Sequence, residues 1–340
     1  MTSRWRLYAI LSFVCLGFSI ALVVQSNTSI VRWVQADSSD TPIGGKWWPS
    51  RWGASDERGA INFITPEKTV AAARLVQKGK IYSLGQVYEE GMPKPPFRMF
   101  QFRVKTGNPH SNCSFNNKLV GFDDFWIGEI GQMGTQMDGL GHCGVRLEDG
   151  DSYFYNGFKA SDFAKAHGLE KMGVEKLGVF FTRGVLIDVV KYKNVDRLKV
   201  GEVISAADLQ GALKAQGVSI QRGDTVLIRT GHSKLWNVDN EEYQRGEPGI
   251  DLEAGRWLIS QEIAHLGSDN WGIEVDPPAT KDGERIRVHQ ELIIKHGICL
   301  QENMNLEELA ADAVYEFAYI SSPLRIRGAT GSPGNPIAVR

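Results

Sequence analysis

Four side chains able to bind a cation or carry a proton sit at even-numbered positions of one glycine-rich stretch: Gln132, Gln136, Asp138 and His142. In an extended backbone, residues two apart point to the same face, roughly 6–7 Å from each other. Gln136 and Asp138 could therefore address one ion together. Gln132 and His142 reach it only if the chain bends, which Gly131, Gly134, Gly139 and Gly141 permit. The same glycines argue against a helix, despite the i, i+4 spacing of the two glutamines. No established metal-binding spacing is met. On their own these residues fit either half of a metal site or a glycine-rich turn whose polar groups bond locally.

A second cluster runs from His289 to Asn303. The pattern predicts a helix from His289 to Gly297, a short strand over 298–300, and Glu302 just beyond it. Such a hairpin returns Glu302 close to His289. A histidine and a glutamate joined by an aspartate from elsewhere make a zinc or manganese site, whereas a lone histidine at a helix start more often caps it. Cys143 adjoins His142 and reads as a small buried hydrophobe rather than a nucleophile. Asp269, Asn270 and Glu274 read as a hydrogen-bonded turn at a pocket's edge.

Those clusters need elements to hold them. A chain of 340 residues with 42% hydrophobic and 23% charged residues buries a proper core. The net charge of -2 is spread without a basic run, which excludes a nucleic-acid partner. Thr65 and Pro66 open a helix that runs toward Gly79. Strands follow at 80–87 and 97–105, the second alternating Phe100, Phe102 and Val104 against polar neighbours. Residues 179–190 and 225–232 form strands buried on both faces. Helices are expected from Ser205 to Gln216, stopping at Gly217, and from 250 to 263, before a short strand at 265–267. Strand and helix alternate, so the fold class is α/β with parallel pairing, in a single domain over 37–340.

The first 36 residues differ. Arg4 and Arg6 precede an uncharged apolar run from Leu7 to Val24. This is the order of an export signal, and the run is also long enough for a membrane anchor. The rest of the chain is then exported: secreted, periplasmic or in the secretory pathway, touching a membrane only through an uncleaved leader. Asn27 and Asn112 formally fit glycosylation acceptors. Cys15 lies in the apolar run, and Cys113, Cys143 and Cys299 make an odd set that allows at most one disulfide.

Taken together, the two clusters resemble the cyclase family of metal-dependent hydrolases, which includes kynurenine formamidase, isatin hydrolase and trans-dienelactone hydrolase. The family signature His-x-Gly-Thr-His-x-Asp-x-Pro-x-His stands in register with Gln132, Gly134, Thr135, Gln136, Asp138, Leu140 and His142. The resemblance continues through Trp52, Gly53 and Asp56, the 183–188 strand, Gly223 and Asp224, Glu302 and Asn303, and the 328–333 segment. It implies a swivelling β/β/α domain, a homodimer or homotetramer, and a divalent metal, Mn²⁺ or Zn²⁺. It implies Gln132, Gln136, Asp138, His289 and Glu302 as metal-binding residues. His142 stands as general base and Thr135 beside it as a catalytic residue orienting water or substrate. Both signature histidines are glutamine here, and a carboxamide oxygen is a harder, weaker ligand than imidazole. This points to a glutamine-variant subgroup holding one ion. The implied activity is hydrolysis of a small cyclic amide, lactone or ester; the alternative is a non-catalytic small-molecule-binding protein on the same fold.

Overall fold

Two strands buried on both faces require cover above and below, and around Leu186 and Leu227 they lie side by side at the centre of a nine-stranded sheet. The computed structural model describes residues 41–106, 121–129, 131–278 and 284–340. Helix α1 (Pro66–Ala73) and strand β1 (Ile81–Ser83) come first, then a separate ribbon of β2 (Phe100–Lys105) and β3 (Asp123–Gly128). Strand β4 (Gln136–Asp138) precedes β5 (Phe180–Asp188), α2 (Val189–Lys193), α3 (Ala206–Gln216) and β6 (Thr225–Arg229). Then follow α4 (Leu252–Ser260), β7 (His265–Ser268), α5 (Arg287–His289) and β8 (Cys299–Glu302). Strands β9 (Glu316–Ser321), β10 (Gly331–Pro333) and β11 (Ile337–Val339) complete the sheet.

Across the sheet the order is β1-β11-β9-β5-β6-β7-β8-β4-β10. The run β5 to β8 is parallel, and β4 adds antiparallel to β8. The fold is α/β, as the alternation of elements predicts. Residues 47–340 form one compact unit and residues 41–46 belong to another; within that short piece Thr41 Oγ1 donates to the Gly44 carbonyl. The leader over 1–36, the acceptors Asn27 and Asn112, and Cys15 and Cys113 lie outside the described residues. Among the described residues, no helix is long and apolar enough to cross a membrane.

Local chemistry sets most boundaries. Thr65 Oγ1 accepts from the Lys68 amide, and Ser205 forms a reciprocal capping box with Asp208. Gly217 ends α3 at φ +71°, a left-handed conformation that costs glycine little. Three acids from the resembling segments also build the fold. Asp56 accepts from Gly59 N, Asn62 Nδ2 and Tyr155 OH, at 2.9, 2.7 and 2.7 Å. Asp224 takes the Lys68 ammonium at 2.5 Å, tying α1 to the sheet, and Asp188 caps α2.

Several boundaries differ from expectation. Helix α1 stops at Ala73, short of Gly79, and it buries Ala72 while Val70 and Val76 stay exposed. The 179–190 strand ends at Asp188, whose carboxylate accepts from Lys191 N at 3.0 Å and turns Val189 and Val190 into a helix. In β2 only Phe100 is buried. Phe102 and Val104 are 44% and 49% exposed; among the described residues β3 is their sole strand partner. The helix beginning at α5 widens to π geometry over Gln290–Lys295, and β8 takes in Glu302 rather than stopping before it.

Candidate metal centre

The register of β4 against β8 brings the two clusters together. Gln136 lies opposite Glu302, and Asp138 opposite Leu300. Residues opposite in an antiparallel pair share a face, so the Gln136 carboxamide meets the Glu302 carboxylate: Nε2 donates to Oε2 at 2.6 Å. His289 arrives from the end of α5. Glu274 fixes its ring, accepting from Nδ1 at 2.7 Å, while the same carboxylate accepts from the Val288 and His289 amides. Nε2 is thereby turned inward, 3.2 Å from Glu302 Oε1 and 3.8 Å from Asp138 Oδ2.

Asp138, His289 and Glu302 are all buried, with one donor atom from each within 4.8 Å of the others. Asp138 Oδ1 has no hydrogen-bond partner, an expensive state for a buried carboxylate oxygen. One imidazole nitrogen and two carboxylates make a donor set that suits Zn²⁺ or Mn²⁺. The residues present fit a divalent cation.

Electrostatics agree. Burial, reinforced by the Glu302 charge, pushes the Asp138 carboxyl up to about 6. Burial alone would lower the His289 pKa, but its bonds to Glu274 and Glu302 hold it well above the usual histidine value. The bare cluster thus retains protons where a cation would supply positive charge. Cation affinity should fall as pH drops, because His289 and, through about 6, Asp138 must each lose a proton to ligate. Zn²⁺ titrations against a competing chelator between pH 5 and 8, values chosen to bracket roughly that range, check this; a flat profile contradicts it.

His142 stands beside the trio, its Nε2 3.5 Å from Asp138 Oδ2. Burial lowers its pKa, and the charges of His289 and Arg98 act in the same direction, against Asp138. The ring is neutral near pH 7 and able to take a proton. Its Nδ1 contacts Gln132 Nε2 at 3.1 Å. A carboxamide suits both ring tautomers, its nitrogen donating to a bare Nδ1 and its oxygen accepting from a protonated one. The bend needed to bring Gln132 and His142 together falls on either side of β4, with Gly134 at φ +61°.

Thr135 is fully buried. Its hydroxyl donates to the Asn303 carbonyl at 2.6 Å and accepts from Gln86 N at 2.7 Å, so both contacts are with main chain. Asp269 and Asn270 hold turns: Asp269 accepts from Thr230 and Gly231, and Asn270 Nδ2 donates to Pro248 O. Burial pushes the Cys143 thiol up to about 12, which leaves it unreactive near neutrality. Sequence reasoning missed Tyr243, whose hydroxyl donates to Asn303 Oδ1 at 2.5 Å, and Glu247, which accepts from Trp271 N and Gly272 N. Neither lies in a motif or a spacing that marks it.

Tyr243 also belongs to a second apolar cluster with Met92, Phe100, Met133, Leu235 and Trp236, and Tyr88 and Trp271 pack against it. Met133 and Tyr243 join this aromatic cluster to the polar site.

The Cyclase family model matches residues 82–275. A solved structure described as a novel cyclase is 34% identical, with a TM-score of 0.75, over 85% of this chain and 98% of that one. Isatin hydrolase A from Labrenzia aggregata, bound to benzyl benzoate, is 20% identical, with a TM-score of 0.54, over 80% and 97% of the two chains. Isatin hydrolase A from Ralstonia solanacearum is 17% identical, with a TM-score of 0.56, over 81% and 98%. At those identities the two isatin hydrolases share the fold. Among proteins of curated function, none matches this sequence. The chain belongs to the cyclase family.

Proposed function

We propose that this protein is a metal-dependent hydrolase that opens a small cyclic amide, lactone or ester. The observation that carries the reading is the buried Asp138, His289 and Glu302 trio with a neutral histidine, His142, 3.5 Å from Asp138. A divalent cation held by the trio, Mn²⁺ or Zn²⁺, would acidify water and polarise the scissile carbonyl. His142 takes the proton from the attacking water and returns it to the leaving group. Gln132 keeps the ring in place in either tautomer. Thr135, committed to the main chain of Asn303 and Gln86, holds β4 against the turn after β8; its part in catalysis is positioning. The buried aromatic cluster around Tyr243 and Trp236 keeps water from one side of the site.

Removing the metal tests the whole reading. Protein stripped by a chelator should lose hydrolysis of every lactone, N-formyl amide or cyclic imide it cleaves, and Mn²⁺ or Zn²⁺ should restore it. Full activity in the stripped protein rules the reading out.

The proposal extends to export and to a homodimer or homotetramer. The apolar face of the β2–β3 ribbon, where Phe102, Val104 and Trp126 are each at least 40% exposed among the described residues, favours self-association. Light scattering should return two or four times the chain mass, and a monomer counts against it. N-terminal sequencing of protein from the native host shows whether a leader within 1–36 has been removed.

A further inference from the structure

A carboxamide can present either its oxygen or its nitrogen to a neighbour, and the surroundings of Gln136 decide which. Asn303 Nδ2 lies 2.9 Å from the Gly134 carbonyl, which can only accept, so that end of Asn303 is the nitrogen. Its other end, Oδ1, accepts from the Tyr243 hydroxyl at 2.5 Å. The same Nδ2 faces Gln136 Oε1 at 3.3 Å. The nitrogen of Gln136 then falls 2.6 Å from Glu302 Oε2, where a carboxylate accepts. Tyr243 anchors the start of this chain: His232 stacks on its ring at 4.6 Å, and Trp236 meets it edge-on at 5.5 Å. Asn303 sits in the left-handed region at φ +53°, which asparagine tolerates, and its main chain is held by Thr135 and Asn270.

We propose that Gln136 is a positioning residue rather than a metal ligand, the last link of a relay from Tyr243 through Asn303 that holds one oxygen of Glu302 and leaves the other for the cation. The inference rests on the metal-dependent reading above. Turning the carboxamide over would break the bond to Asn303 and point the Gln136 oxygen at a carboxylate oxygen. In the relay orientation, Glu302 Oε2 is occupied by Gln136 while Oε1 faces His289 and the centre of the trio. Glutamine at a position where the family signature has histidine therefore keeps its place in the site by changing its task, from binding the ion to orienting the residue that does.

Two measurements on the full chain test this. In crystals soaked with Zn²⁺, Gln136 Oε1 should stay outside the coordination shell, with Nε2 still on Glu302. Finding that oxygen at a bonding distance of about 2.0–2.2 Å overturns the relay. In solution, Tyr243→Phe removes a single hydroxyl remote from the ion and should weaken Zn²⁺ binding about 10-fold, with the circular dichroism spectrum unchanged. Zn²⁺ bound by a folded Tyr243→Phe variant as tightly as by the parent overturns it equally. A parent chain that takes up neither Zn²⁺ nor Mn²⁺ overturns the hydrolase reading, and the relay's purpose with it. A parent that binds the ion through Gln136 overturns the relay alone.

Discussion

Replacing His142 with alanine should lower kcat by about 10²–10⁴-fold while metal content stays at the parent level. The ring touches Asp138 only at 3.5 Å and is held from outside by Gln132, so its loss removes a proton carrier without removing a ligand. Its lowered pKa gives a second readout. A base that must be neutral loses function as pH falls, so with metal kept saturating the acid limb of the parent's rate profile should lie below the usual histidine value and vanish in the variant. Metal analysis beside single-turnover kinetics checks both. A binding protein that performs no chemistry would show no turnover to lose, and unchanged turnover in His142→Ala would remove this residue from the mechanism.

Asp138→Asn should act in opposite directions on two properties. Cation binding should weaken by more than the about 10–100-fold that a supporting residue costs, because a charged ligand becomes a neutral one. The metal-free protein should meanwhile become more stable at neutral pH. The sign follows from the raised pKa: the folded state binds a proton that the unfolded state has already released. Stability of the parent therefore declines as pH rises from the ordinary carboxylate range to about 6, and the variant escapes that decline. Melting curves of stripped parent and variant should coincide in acid, separate as pH rises to about 6, and stay apart above it. A variant less stable than the parent at neutral pH would show that Asp138 is a structural anchor instead of a strained ligand.

What the sequence disclosed and what it withheld divide along physical lines. Ser205, Gly217 and Thr65 were legible because a cap is decided by a few neighbouring residues. The fold class followed from buried runs such as 185–188, and the site's two clusters from their residue types and family register. Asp138, His289 and Glu302 do converge, and Gln132 does reach His142. The extent of β2's burial was not legible, because alternation reports which face is apolar and not whether anything covers it. Tyr243 and Glu247 were invisible for a different reason: their partners are more than twenty residues away, and no local pattern distinguishes a buried tyrosine that bonds to Asn303 from one that merely packs. The orientation of Gln136 depends on two further side chains, so its residue type alone left its role open.

The seam between β4 and β8 has a consequence for how the protein matures. Gln136 and Glu302 are 166 positions apart in the chain, and strands β5, β6 and β7 lie between them in sequence. Pairings across such separations close slowly, because the loop entropy must be met before the contact rewards it. On the metal-dependent reading, the donors come from both β4 and β8 and from α5, so uptake of the ion would report completed folding. Binding in turn stabilises only the finished state, by an amount that grows with the logarithm of free metal. On that metal-dependent reading, the supply of metal would act on how long the assembled protein lasts, as well as on how fast it works.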